Sequence, residues 1–197
     1  MDEREVPYSD LTDEIARRTA LNWDPAVPEV RTEFIVAEMT NRARDLLVAG
    51  RTAEASVLFE FAVHQWPADA RARNNLGFCL IPLDPARALT HLNAAARDRY
   101  APLGVNVYNR MCCHVSLRQP RAVLDLAEQW WSSRDPSEDD VIAILWTRSH
   151  EGWQLDTSAV VKGAITALAI ATACVHGWSD DEQVWRKRSS GEAYPSR

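Results

Sequence analysis

The densest concentration of reactive side chains in the chain is Cys112-Cys113-His114. A thiol beside an imidazole is the minimal set for nucleophilic catalysis, in which the base takes the thiol proton. On a helix, however, adjacent side chains diverge by about 100° per residue, so this neighbouring pair does not meet for proton transfer. Cys79 precedes Cys112 by about the length of one helix pair, and both read as small residues packed between helices. Zinc finds no paired ligands: Cys-x-x-Cys is absent, and His64, His91, His114, His150 and His176 are scattered. Neither a phosphate-cradling glycine loop nor a Gly-x-Ser-x-Gly elbow occurs. The expectation is a protein that is not an enzyme and needs no cofactor or metal.

What remains is noncovalent chemistry, and composition narrows its partners. A formal charge of −6 argues against general nucleic-acid binding, which needs a basic surface to displace counterions. The start, MDEREVPYSD, lacks the positive charge and apolar core of a signal peptide, so a cytoplasmic location with reduced cysteines is expected. The longest apolar run, GAITALAIATACV from Gly163 to Val175, falls short of the roughly 20 residues of a membrane span. Among the 22 basic residues only Lys162 and Lys187 are lysine, which reads as the base composition of a GC-rich bacterial genome.

Helix punctuation recurs along the chain. A short helix is expected from Ser9 or Asp10 to about Leu21, then the extended WDPAVP, then a helix from Pro28 to Gly50. Phe34, Ile35, Met39, Ala43, Leu46 and Leu47 place its apolar residues on one face. Further helices are expected from Ala53 to Gln65, from the cap Asp69 to Pro82, and from Asp84-Pro85 to about Arg97. Leu103–Leu117 and Pro120–Trp131 form another pair. Asp135-Pro136 is read as opening a helix to about Ser149, and Asp156, Thr157 or Ser158 as capping an apolar helix ending near Gly177. Ser179 with Glu182 suggests a capping box for a last short helix.

The period of these pairs is near 34 residues. Gly50, Ala55, Ala62 and Pro67 fall at intervals that resemble the turn glycine, small packing residues and terminal proline of the tetratricopeptide repeat (TPR) family. Leu76-Gly77, Leu80, Ala88, Leu92 and Ala95 resemble the family's next series with one deletion at the turn. A third unit keeps the apolar stripe Tyr108, Met111, Cys112 and Val115 with Ala122 and Leu126, but has Tyr108-Asn109 for Leu-Gly. The resemblance covers Val36 to Trp131. It implies an all-α, right-handed α-solenoid of three to four TPR-like helix pairs with capping helices. Residues 1–27 are read as an N-terminal capping helix and linker, 28–134 as the repeats, 135–188 as a degenerate helix pair and C-terminal cap, and 189–197 as a flexible tail.

The same resemblance implies a concave face that binds a peptide or protein segment. The family's ligand-facing positions carry over to Thr40 and Arg44, to Arg71, Asn74, Asn75 and Phe78, and to Asn106, Arg110 and His114. Asn can pair with a peptide backbone, Arg can grip a carboxylate, and Phe78 can anchor an apolar group. The expected ligand is an acidic peptide or chain terminus. The chaperone-tail clamp of the family is matched only at Asn75: Thr40, Arg44, Leu103 and Val107 depart from it. The alternative is a regulatory or structural subunit of a larger enzyme or defence complex. It would dock, or form a homodimer, through the Trp-rich end carrying Trp130, Trp131, Trp146, Trp153, Trp178 and Trp185.

Overall fold

The computed structural model describes residues 39–190. The helix expected from Ser9 or Asp10, the WDPAVP stretch, the start at Pro28 and the tail beyond 190 lie outside the described residues.

Helical residues 39–48 form α1, followed by α2 (Thr52–Gln65), α3 (Ala70–Leu80), α4 (Pro85–Arg97), α5 (Leu103–Ser116) and α6 (Pro120–Ser133). The starts follow from local chemistry. Asp69 Oδ1 accepts from the amides of Arg71 and Ala72 at 2.8 and 3.0 Å, and Asp84 Oδ1 from that of Arg87 at 3.0 Å. Pro85 and Pro120 occupy first-turn positions, where no N–H is missed. The ends share one device. Gly50, Arg99 and Arg118 adopt positive φ, and the next amide reaches back five residues, as from Arg51 to the Leu46 carbonyl at 2.8 Å.

From α2 onward each helix packs on the next, and α3 also touches α5. The buried core runs along this row through Met39, Leu58, Leu76, Leu92, Met111 and Val123 to Trp130. Each such side chain contributes about 1.5–3 kcal/mol by leaving water. Gly77 is required by the closest helix contact: a Cβ there would lie 2.5 Å from Leu92 Cγ.

The helix expected from Asp135 to about Ser149 is not formed. Asp135 does cap, accepting from Ser137 N, but the turn it opens is a 3-10 helix of only three residues, Pro136–Glu138. The run Val141-Ile142-Ala143-Ile144-Leu145-Trp146-Thr147 then extends, as β-branched and aromatic residues favour. It forms β1 (Ile142–Ser149), paired antiparallel with β2 (Gly152–Val160) in a two-stranded sheet. His150 and Glu151 make the turn, with Gly152 at φ 116°. The fold is mostly helical, as expected, and among the described residues it carries one two-stranded sheet.

The last helix pair exists, displaced along the chain by this hairpin: α7 (Val161–Val175) and α8 (Ser179–Ser190). Asp156 caps no helix; its carboxylate accepts from Ser158 N within β2. Helix α7 packs on α5, α6, α8 and β2, so the row of helices continues past the insertion. The base of the hairpin is fastened twice. Asp139 accepts from Arg134 Nε at 2.9 Å and Lys162 Nζ at 2.6 Å. Burial would raise the Asp139 pKa, but these two cations and their hydrogen bonds hold its carboxyl below the ordinary value. Glu138 accepts from the amides of Leu103 and Gly104, both at 3.2 Å, capping α5 where Pro102 offers no side-chain cap.

Candidate functional site

The hairpin lies against the helices that carry the expected ligand-facing residues. Trp146 of β1 stacks on Phe78 of α3 with ring centroids 5.4 Å apart, and its Nε1 donates to the Phe78 carbonyl at 2.8 Å. On the other side Tyr108 of α5 donates its hydroxyl proton to the Trp146 carbonyl at 2.7 Å. Leu145 is fully buried, and Trp146 is only 4% exposed. Phe78, expected as an anchor for a ligand, is thus largely covered by the chain's own strand.

Beside that contact the surface stays open. A cavity of about 290 Å³ is bounded by Thr40, Arg44 and Leu47 of α1, and by Asn74, Asn75 and Phe78 of α3. Val105 and Asn109 of α5 close one side, Val141–Ile144 of the hairpin another, and Phe59, Tyr100 and Pro102 the remainder. Its size sits at the lower edge of ordinary ligand pockets, about 300–1,000 Å³. The spacing within each helix explains the convergence: residues 40, 44 and 47, like 74 and 78, fall on one helical face.

Among the described residues Arg44 is the single charged member of this lining, which includes no described carboxylate. Arg71 lies outside the wall but near Tyr100. Burial pushes the Tyr100 phenol above its ordinary value, and the Arg71 charge works against that. None of Arg44, Arg71 and Arg110 forms an ion pair with a described residue, whereas Arg73, Arg87 and Arg121 do.

The structure brings five of the nine sequence-derived positions into one wall: Thr40, Arg44, Asn74, Asn75 and Phe78. The other four stand elsewhere. Asn106 is fully buried, donating to Asn74 Oδ1 at 3.1 Å and to the Leu92 carbonyl at 3.0 Å, so it orients Asn74 from behind. Arg110 is half-buried with Nε unpartnered, and desolvation pushes its guanidinium below its ordinary value. His114 Nδ1 meets Gln119 Oε1 at 2.7 Å, and Arg71 is exposed.

Sequence reasoning missed Asn109, Tyr100, Phe59 and the strand. Asn109 carried a signal, since it replaces a glycine expected at a close helix contact. It is fully buried, and both its Nδ2 and Oδ1 lack a partner. An unpaired buried amide is costly, about 1–3 kcal/mol per group.

The buried cysteines Cys79, Cys112 and Cys113 present little nucleophilic character. Burial pushes the Cys79 and Cys113 thiols up to about 12, and Cys112 is raised further by burial and the nearby Cys113. Among the described residues no group of three or more His, Cys, Asp or Glu side chains could hold a metal ion, and no helix is long and apolar enough to cross a membrane. The tryptophans are mostly turned inward. Trp130 and Trp185 are buried, Trp131 packs edge-on against both, and Arg134 lies 3.8 Å above the Trp131 ring. No tryptophan is among the exposed large apolar residues described.

Comparison with known proteins found no matching family model, no match among curated proteins and none among solved structures.

Proposed function

We propose that this chain is a TPR-like α-solenoid whose inner face holds an acidic peptide or protein segment, acting as an adaptor rather than a catalyst. The supporting observation is the convergence of Thr40, Arg44, Asn74, Asn75 and Phe78, drawn from two helix pairs, on one cavity. Among the described residues that line it, only Arg44 is charged. A guanidinium with no carboxylate of its own favours an anionic partner, and amide side chains beside it suit a peptide backbone. The chain also supplies an internal precedent, because this face already seats an extended segment, β1, through the Phe78–Trp146 stack and two hydrogen bonds from side chains to main-chain carbonyls.

The test is a peptide array probed with the wild-type protein and with Arg44→Glu and Asn75→Ala. Capture of acidic sequences that Arg44→Glu abolishes supports the reading. Capture unchanged by both variants, or none at all, refutes it.

A further inference from the structure

The same cavity carries information about how a peptide would lie in it, and the inference rests on the adaptor reading. Successive side chains of a strand point to opposite faces of the sheet. A cavity against one face of β1 would therefore meet every second residue. This one is lined by Val141, which precedes the strand, and by Ile142, Ala143 and Ile144 of β1, of which Ile142 and Ala143 are consecutive in the ladder ahead of the register irregularity between Ala143 and Leu145. It meets the strand at its edge. One edge of β1 is paired with β2, and among the described residues the sheet has no third strand. Along an antiparallel strand, alternate residues turn both N–H and C=O away from the paired partner. Farther along, the Trp146 carbonyl is bonded to Tyr108. Val141 is spent, its amide bonded to the Glu138 carbonyl and its carbonyl to the Val161 amide, so the stretch of β1 beside the cavity is Ile142–Ile144.

Asn109 supplies the second observation. Asn109 is one of the residues lining the cavity, is fully buried, and its amide has a donor and an acceptor both without partners. A peptide group is the complement of that arrangement, offering one acceptor and one donor side by side. Ile142, 66% exposed at the mouth, adds apolar surface for a side chain of the incoming segment. We propose that the cavity takes an extended segment of a partner protein as a third strand beside Ile142–Ile144. One of its peptide groups pairs with the Asn109 amide, and an acidic side chain reaches Arg44.

The probe is a capped hexapeptide of alternating Asp and Val, with two N-methylated forms carrying methyl groups on complementary alternate residues. Methylation removes backbone donors from one edge of the peptide and leaves every side chain in place. Binding is followed by fluorescence polarisation and by the side-chain amide resonances of Asn109. One methylated form should bind roughly tenfold or more weakly while the other matches the parent, as loss of one or two hydrogen bonds requires. Asn109→Leu should lower affinity about fivefold or more without lowering the melting temperature, since it also removes an unpaired buried amide. If the two methylated forms bind alike, or if Asn109→Leu binds as the wild type does, strand addition is wrong, though the adaptor reading survives wherever Arg44→Glu still abolishes binding. Failure of the parent peptide and of every array sequence to bind would remove both.

Discussion

Removing the indole of Trp146 is the most direct perturbation of the hairpin's seat. Truncating a buried aromatic to alanine costs about 3–5 kcal/mol in lost transfer energy and cavity. The Nε1–H bond to the Phe78 carbonyl and the ring stack add about 1 kcal/mol each, partly overlapping the first figure. Trp146→Ala should therefore lose about 4–6 kcal/mol, a large share of the ~5–15 kcal/mol that holds a typical domain. Trp146→Phe keeps a ring against Phe78 and loses the donor. The Phe78 carbonyl still accepts from Ile81 N at 3.3 Å, so the expected loss is only about 1–2 kcal/mol. Urea unfolding followed by far-UV circular dichroism gives both values, and limited proteolysis at the His150–Glu151 turn reports whether the hairpin has lifted. A Trp146→Ala loss below about 1 kcal/mol, with wild-type resistance to protease, would show that β1 is not held by this side chain.

Gly77→Ala should destabilise by about 1–2 kcal/mol in the same unfolding assay, because the new Cβ meets fully buried Leu92 at 2.5 Å and overpacking outweighs the gain in helix propensity. Acid titration should show stability falling below about pH 4. Asp139 has its folded pKa depressed, so its contribution is present above the unfolded value and disappears as pH drops through the folded one. Asp139→Asn should flatten that acid limb and cost about 1–2 kcal/mol at neutral pH by removing charge-assisted bonds to Arg134 and Lys162. With a thiol reagent at mild alkaline pH, exposed Cys174 should react quickly while Cys79, Cys112 and Cys113 react only on unfolding, as titration with and without urea would reveal.

The legible parts of the fold were those decided within a few residues. Asp69 and Asp84 start helices because an aspartate reaches amides two or three positions on, and Pro85 and Pro120 because a first-turn proline loses no bond. Asp135-Pro136 sends the same local signal, and the chain obeys it for one turn. Beyond that turn the conformation is governed by Val141, Ile142, Ile144 and Thr147, and by the alternation of Trp153, Leu155, Thr157 and Ala159 with polar residues in β2. That period of two was readable, but a strong helix start masked it. In the candidate site, Thr40, Arg44, Asn74 and Asn75 could be found from repeat spacing because each is placed by its own helix. Asn106 could not, since its inward turn is set by Asn74 and the Leu92 carbonyl. Nothing near Leu103 announces that α5 is capped by Glu138, 35 positions away.

The reach of Trp146 has a consequence for how the molecule comes apart. In a row of helix pairs where each touches only its neighbours, melting can begin at an end and spread piecewise. Here the segment beyond α6 is bonded to Phe78, 68 positions earlier, and to Tyr108, 38 positions earlier. Helices α3 to α6 are enclosed in a loop that closes at the hairpin. Opening α3 or α5 strips the seat from β1, so these two helices are coupled through the hairpin. The hairpin ties two members of a modular row into one cooperative unit, and its distant closure makes folding slower than helix pairing alone would be.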